Sequence, residues 1–325
     1  MSKFRITPVE NQTEWVSLIE KSQQGTVFSH PVFLDALGRK TACYFVYKGG
    51  QLKAGVALIL TDDGAKCVLD ELVIYNGILF LGDPTQKRVK ARSERFEITD
   101  FVIQELLQRY QRIEMALAPQ FEDQRPFLWH NYHSKNSSDK FCVDLRYTSY
   151  LNIEELANNK PEEETILFQN LETLRQRNIR EARKKNAFVR KGQQVDSFMK
   201  FYKSLMSRQN ESVEKKKQQQ MRDLIFALHE NQMCHIYEAY NPQEELIYIT
   251  IFCIDSKRAY YLFGAGNPDT NERYRGTIAF WDAFKDLAIN HNIKCIDLEG
   301  VNSPQRGWFK LGLGGDLRTY FKVYK

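Results

Sequence analysis

The chain has 325 residues, 42% hydrophobic and 27% charged, with a net charge of +5 and a pI near 8.7. That length suits two domains of roughly 150 to 170 residues better than one, and the composition excludes disordered and fibrous classes. No apolar run approaches the ~20 residues of a bilayer span and the N-terminus shows no apolar secretory core, so a cytoplasmic location is expected.

The first helices are expected over residues 13–22 and 30–38, where apolar positions recur at three and four residue intervals. Residues 42–69 then read strand, Gly49-Gly50 turn, strand, Asp62-Asp63-Gly64 turn, strand, which is a meander. An amphipathic helix over residues 97–110 leads into a strand starting near Arg112. The same grammar returns downstream. Helices over 195–209 and 219–231 precede a meander over 234–263, broken at Asn241-Pro242 and Asp255-Ser256, and a helix over 277–290 leads into a strand from Lys294. Duplication of one α+β unit is the reading: two tandem domains, each a mixed, mostly antiparallel sheet flanked by helices. The expected domains are residues 1–155 and 156–325, divided near the polar, proline-containing acidic run at 158–164.

Six cysteines lie scattered without a C-x-x-C pair, and the six histidines share no ligand spacing, so no metal site or disulfide framework is expected. No G-x-S-x-G is present either, which leaves a serine nucleophile unsupported. The strongest local signal is DLEGVNSPQRGWFKLGLGG at residues 297–315, an acidic strand end, a turn, the Phe309-Lys310 pair and a glycine-rich close. Lys310 there can face an anion or a developing oxyanion, or stand on a surface hairpin closed by turn glycines. Asp297 and Glu299, two apart on a strand, share one face. Arg177, Arg180 and Arg183 fall at i, i+3 and i+6 of a helix and form a basic stripe, suited to phosphate or simply solvated; Arg175 and Lys185 lie off it. Tyr75, Tyr274 and Trp308 are candidates to line a cleft and stack on a sugar or base.

Residues 169–186, 276–302 and 307–315, with 25–37, 74–80 and 125–133, resemble the FemABX-like group of the GNAT superfamily over nearly the whole chain. The resemblance implies twin GNAT-like domains that move an acyl or aminoacyl group onto an amine. It implies Lys310 as electrostatic stabiliser with the backbone of Phe309 beside it. From their shared face, Asp297 or Glu299 is a candidate proton acceptor or ammonium holder, unless Asp297 is a structural carboxylate satisfied by backbone. Arg273-Tyr274-Arg275-Gly276-Thr277-Ile278 matches the pyrophosphate turn of acyl-CoA users except at Ile278, where a small residue is the rule, so Arg273, Arg275, Gly276 and Thr277 are expected at the donor. The long helical hairpin of tRNA-dependent members has no counterpart, which favours acyl-CoA over aminoacyl-tRNA as co-substrate, with no resident cofactor. The resemblance does not carry the acceptor over; the expected one is an amine of a cell-envelope precursor: a nucleotide amino sugar, a glycan or a peptidoglycan stem. A different class stays open, a non-catalytic module binding an anionic ligand or RNA through the arginine stripe and the Lys215–Lys217 run.

Overall fold

The computed structural model describes residues 3–325 apart from Asn159 and the side chain of Gln305. It divides into two units, residues 1–146 with 319–325, and residues 147–318. The expected boundary at 155/156 therefore lies inside the second unit. The acidic run is no linker, because Glu162 is pinned by Trp281 (Nε1 donating at 2.8 Å) and by Arg183.

The first unit runs β1 (Phe4–Pro8), α1 (Gln12–Lys21), α2 (Pro31–Ala36), β2 (Thr41–Lys48), β3 (Gln51–Leu60), β4 (Cys67–Val68), β5 (Gly77–Phe80), α3 (Arg88–Arg109), β6 (Glu114–Leu117), α4 (Arg125–Trp129) and the start of β7 (Cys142–Asn152). Asn11 caps α1 by accepting from the Glu14 amide at 3.1 Å, and Trp15, Leu18 and Ile19 turn inward at helical spacing. Trp15 packs so close to β3 that a Cβ at Gly55 would sit 2.5 Å from its ring. β1, β2 and β3 are antiparallel neighbours, and β3 pairs with both β4 and β5. The three strands expected over 42–69 are β2, β3 and the two-residue β4, and a further strand, β5, precedes the long helix. α3 also begins nine residues before the expected 97, since its first turns are polar and show no apolar period.

The second unit continues with α5 (Ile166–Gln169), α6 (Thr173–Lys184), β8 (Phe188–Lys191), α7 (Val195–Arg208), α8 (Lys215–Glu230), β9 (Cys234–Tyr240), β10 (Leu246–Ile254), β11 (Ala259–Gly266), α9 (Arg275–His291), β12 (Cys295–Asp297), α10 (Pro304–Leu311) and β13 (Asp316–Tyr324). The last residues of β13, from Thr319, belong to the first unit and pair with β6 antiparallel. Within the second unit the strand order is β8-β9-β10-β11-β12-β7, antiparallel throughout except for parallel β11 and β12. A parallel pair needs a crossover, and α9 supplies it. Ile278, Phe280, Trp281, Phe284 and Leu287 of α9 are fully buried, each contributing about 1.5–3 kcal/mol of apolar burial. The helix stops at Asn292, which takes the left-handed conformation with φ 52°. No described helix is long and apolar enough to cross a membrane.

Candidate active site

The site forms where β11 and β12 part. Their parallel register covers only Ala259↔Ile296 and Tyr260↔Asp297, after which β11 runs on to Gly266 while the other chain turns aside at Glu299. Glu299 has φ +58°, a left-handed conformation that costs a non-glycine residue energy and that clusters at functional sites. The expectation that Asp297 and Glu299 project alike from one strand fails for this reason, because β12 ends at Asp297.

Asp297 is wholly buried, and its Oδ1 accepts from the Thr148 hydroxyl at 2.5 Å and from the Glu299 amide at 2.8 Å. It holds the turn together, which is the structural role. Glu299 differs. It is 6% exposed, its Oε1 has no hydrogen-bond partner, and burial pushes its carboxyl well above the usual range, with Lys310 pulling it back down.

Lys310 comes from α10, where the sequence suggested a turn or hairpin. Pro304 opens this helix at its first position, and Gly307 lets it lie on the preceding loop, since a Cβ there would come within 2.8 Å of the Val301 carbonyl oxygen. Lys310 is thereby brought inside at 9% exposure, Nζ donating to the Gly300 carbonyl at 3.2 Å and lying 5.0 Å from the Tyr261 ring centre. Burial lowers its pKa, and Glu299 and Asp297 oppose that shift. Only one of its three donors is used. Phe309 sits within α10, where a backbone amide belongs to the helical ladder, so the expected role for its backbone does not hold. Its ring does the packing instead, 5.3 Å from Phe280 on one side and 4.5 Å from the Arg175 guanidinium.

The other expected residues divide. Arg275 points back into its own loop, Nη1 donating to the carbonyls of Asn267 (2.6 Å) and Thr270 (2.5 Å). Thr277 is buried and accepts from Asn178 at 3.1 Å, while Arg273 is exposed. A Cβ at Gly276 would lie 3.4 Å from Tyr248 and 3.6 Å from Phe309, and Ile278 is in the core. Tyr248 and Phe309 therefore lie in ordinary contact with Gly276 in the first turn of α9. Of the arginine stripe, Arg180 is taken by Glu163 (2.7 Å) and Arg183 by Glu162 (2.9 Å) and Asp282, which leaves Arg177 exposed and unpaired among the described residues. Tyr75 is a core ring of the first unit, edge-on to Phe28 and Tyr320, and Tyr274 is equally buried under Lys185, so neither is a cleft wall. Trp308 is 74% exposed on α10.

Three participants were not singled out from sequence. Tyr248 and Tyr261 share a hydroxyl hydrogen bond beside Glu299, in strands that read simply as core; burial lifts the Tyr248 hydroxyl to about 12. Arg175 was set aside for lying off the basic stripe, which was the signal that it faces inward.

A family model of the acetyltransferase (GNAT) domain matches residues 172–309, taking in α9, β12 and Phe309. Solved structures share the fold at low identity. FemX is 11% identical over 98% of this chain and 96% of its own, with a TM-score of 0.65. A tandem GNAT protein from the clavulanic acid biosynthesis pathway is 9% identical over 99% and 98%, TM-score 0.53, and L-PGS from Bacillus licheniformis is 8% identical over 97% and 92%, TM-score 0.52. No curated protein sequence matches. Residues 172–309 thus match a GNAT acetyltransferase domain, and the chain along its length shares the fold of FemX and of a tandem GNAT protein.

Proposed function

We propose that the protein is an N-acyltransferase whose chemistry is carried by Lys310 and Glu299. One observation supports this reading above the others: a buried ammonium with spare donors and a buried carboxyl with a spare acceptor share one site without bonding to each other. A reacting carbonyl and an amine supply the missing partners. The amine nitrogen attacks the donor carbonyl carbon, and Lys310 stabilises the negative charge that gathers on its oxygen. Glu299, ionised, takes the proton released as the C–N bond forms, and that proton passes to the leaving thiolate or alkoxide as the old bond to carbon breaks. Tyr261 holds Lys310 in place from beneath. Asp297 fixes the turn that carries Glu299.

The proposed donor is acyl-CoA, the co-substrate a GNAT domain implies in general, and the proposed acceptor is an amine of a cell-envelope precursor, in keeping with the FemX-like fold. Because Arg275 is tied to its own loop, aminoacyl-tRNA is kept as the second donor arm. The test is a transfer screen of acyl-CoAs and charged tRNAs against nucleotide amino sugars, glycan amines and peptidoglycan stems, read by mass of the product. Turnover with either donor, abolished by Lys310→Met, supports the proposal; turnover with none, or turnover indifferent to Lys310, rejects it. The rival binding-module reading loses its main support, since Arg180 and Arg183 are committed to carboxylates.

A further inference from the structure

We propose that the first unit holds a second ligand site, which takes the phosphate or pyrophosphate group of a small molecule. A cavity of about 230 Å³ lies against the N-terminal half of α3 and is lined by Arg88, Arg92, Arg95, Phe96 and Phe121 among others. The three arginines stand at i, i+4 and i+7, on one helix face. None of them makes a hydrogen bond or ion pair among the described residues. Elsewhere on the helix, Glu94 takes Lys48 (2.6 Å) and Lys53 (3.7 Å), Glu97 takes Lys3 (2.7 Å) and Glu105 takes Arg109 (2.8 Å). Arg95 is held flat, its guanidinium 5.5 Å over the Phe80 ring.

Two carboxylates also border the cavity, Glu122 and Asp123. Asp123 is gripped by Arg125 through Nε at 2.7 Å and Nη2 at 2.5 Å and also feels the charge of Arg92, so it offsets the wall only in part. Three guanidinium groups that line one hollow without a direct ion pair repel each other, and an anion bridging them relieves that repulsion with bidentate contacts. The volume falls below the ~300–1,000 Å³ of pockets that enclose whole small molecules, so the anionic group enters and the remainder stays outside.

The position in the chain adds weight. β5, α3 and β6 follow one another as β11, α9 and β12 do in the second unit, and the cavity lies at the far ends of β5 and β6, by Phe80 and Phe121, as the Lys310 site lies at the far end of β11 and β12. After β6, however, the chain reads Ala118-Pro119-Gln120-Phe121, without the carboxyl of Glu299, and no lysine lines the cavity. The repeated frame has kept a hollow and filled its rim with cations, which suits binding without chemistry.

Isothermal titration of the full chain with inorganic pyrophosphate and with orthophosphate tests this. Wild type is expected to bind pyrophosphate with an affinity that falls as salt rises, the Arg88→Gln/Arg92→Gln double variant to bind at least about tenfold more weakly, and Lys310→Met to bind as wild type does. Both substituted arginines are exposed, so an unchanged melting temperature certifies the fold of the double variant. Absence of pyrophosphate binding, equal affinity in the double variant, or loss of binding in Lys310→Met instead each overturns the proposal.

Discussion

Lys310 and Glu299 are buried in one site and feel each other's charge, yet no ion pair within 4.0 Å joins them. Burying two ionisable groups is costly, and the cost is normally offset by direct bonding between them. Here Lys310 turns to the Gly300 carbonyl and to Tyr261, while Glu299 leaves one oxygen unbonded on a strained backbone. A fold selected for stability alone has no reason to keep this arrangement.

Glu299 makes stability pH-dependent. Its pKa in the folded chain is raised above the ordinary 4.5, so its contribution is complete below that value and is lost as pH rises through the folded value. Lys310 is shifted downward and acts in the opposite sense, from the alkaline side, so the comparison belongs in a Lys310→Met background. There, Glu299→Gln should remove the decline in melting temperature above about pH 4.5. Parallel melting curves with and without Glu299 from pH 4 to 9 would show that the carboxyl is not held protonated.

Asp297 is a structural group on this account. Asp297→Ala strands the Glu299 amide and the Thr148 hydroxyl and should cost about 2–4 kcal/mol in urea unfolding. Thr148→Val should cost about 1 kcal/mol, and the double variant less than the sum, by roughly 1 kcal/mol. Strict additivity would mean that the 2.5 Å contact carries no coupling.

The arginine stripe should separate by pairing. Arg183→Met leaves Glu162 and Asp282 without their shared cation, and being partly exposed it should cost about 1–3 kcal/mol. Arg177→Ala should change stability by less than about 0.5 kcal/mol. Thermal melts of the two variants, with Michaelis constants for the acceptor, decide whether Arg177 serves the substrate or only the surface.

Gly307→Ala tests the placement of α10. The added methyl meets backbone at Val301, so the helix must shift, at a cost of about 1–3 kcal/mol. Because α10 carries Lys310, the turnover number should fall with it while donor affinity is retained. Full activity with reduced stability would detach Lys310 from the chemistry.

The repeated unit was legible because its long helices and meanders carry strong periods: α7, α9 and β9 to β11 fall where the spacing put them. What escaped was decided by contacts far apart in sequence. Glu162 and Glu163 looked like a linker until Arg183, Arg180 and Trp281 closed on them. α10 hid behind Gly307, Gly312 and Gly314, which read as turn glycines although Gly307 is needed for close packing against the Val301 backbone. Lys310 and Glu299 were found as residue types at suggestive spacing, but their burial, the left-handed backbone of Glu299 and the stacking of the Arg175 guanidinium on the Phe309 ring are properties of the packed site.

The account stands most directly on single-turnover transfer by Lys310→Met, measured alongside the dissociation constant of the donor. The predicted result is a rate lower by about two to three orders of magnitude with donor affinity within about threefold of wild type, since a charge that acts on the developing oxyanion contributes little to the ground state. A transfer rate within threefold of wild type, in a variant that is folded and binds donor, contradicts it.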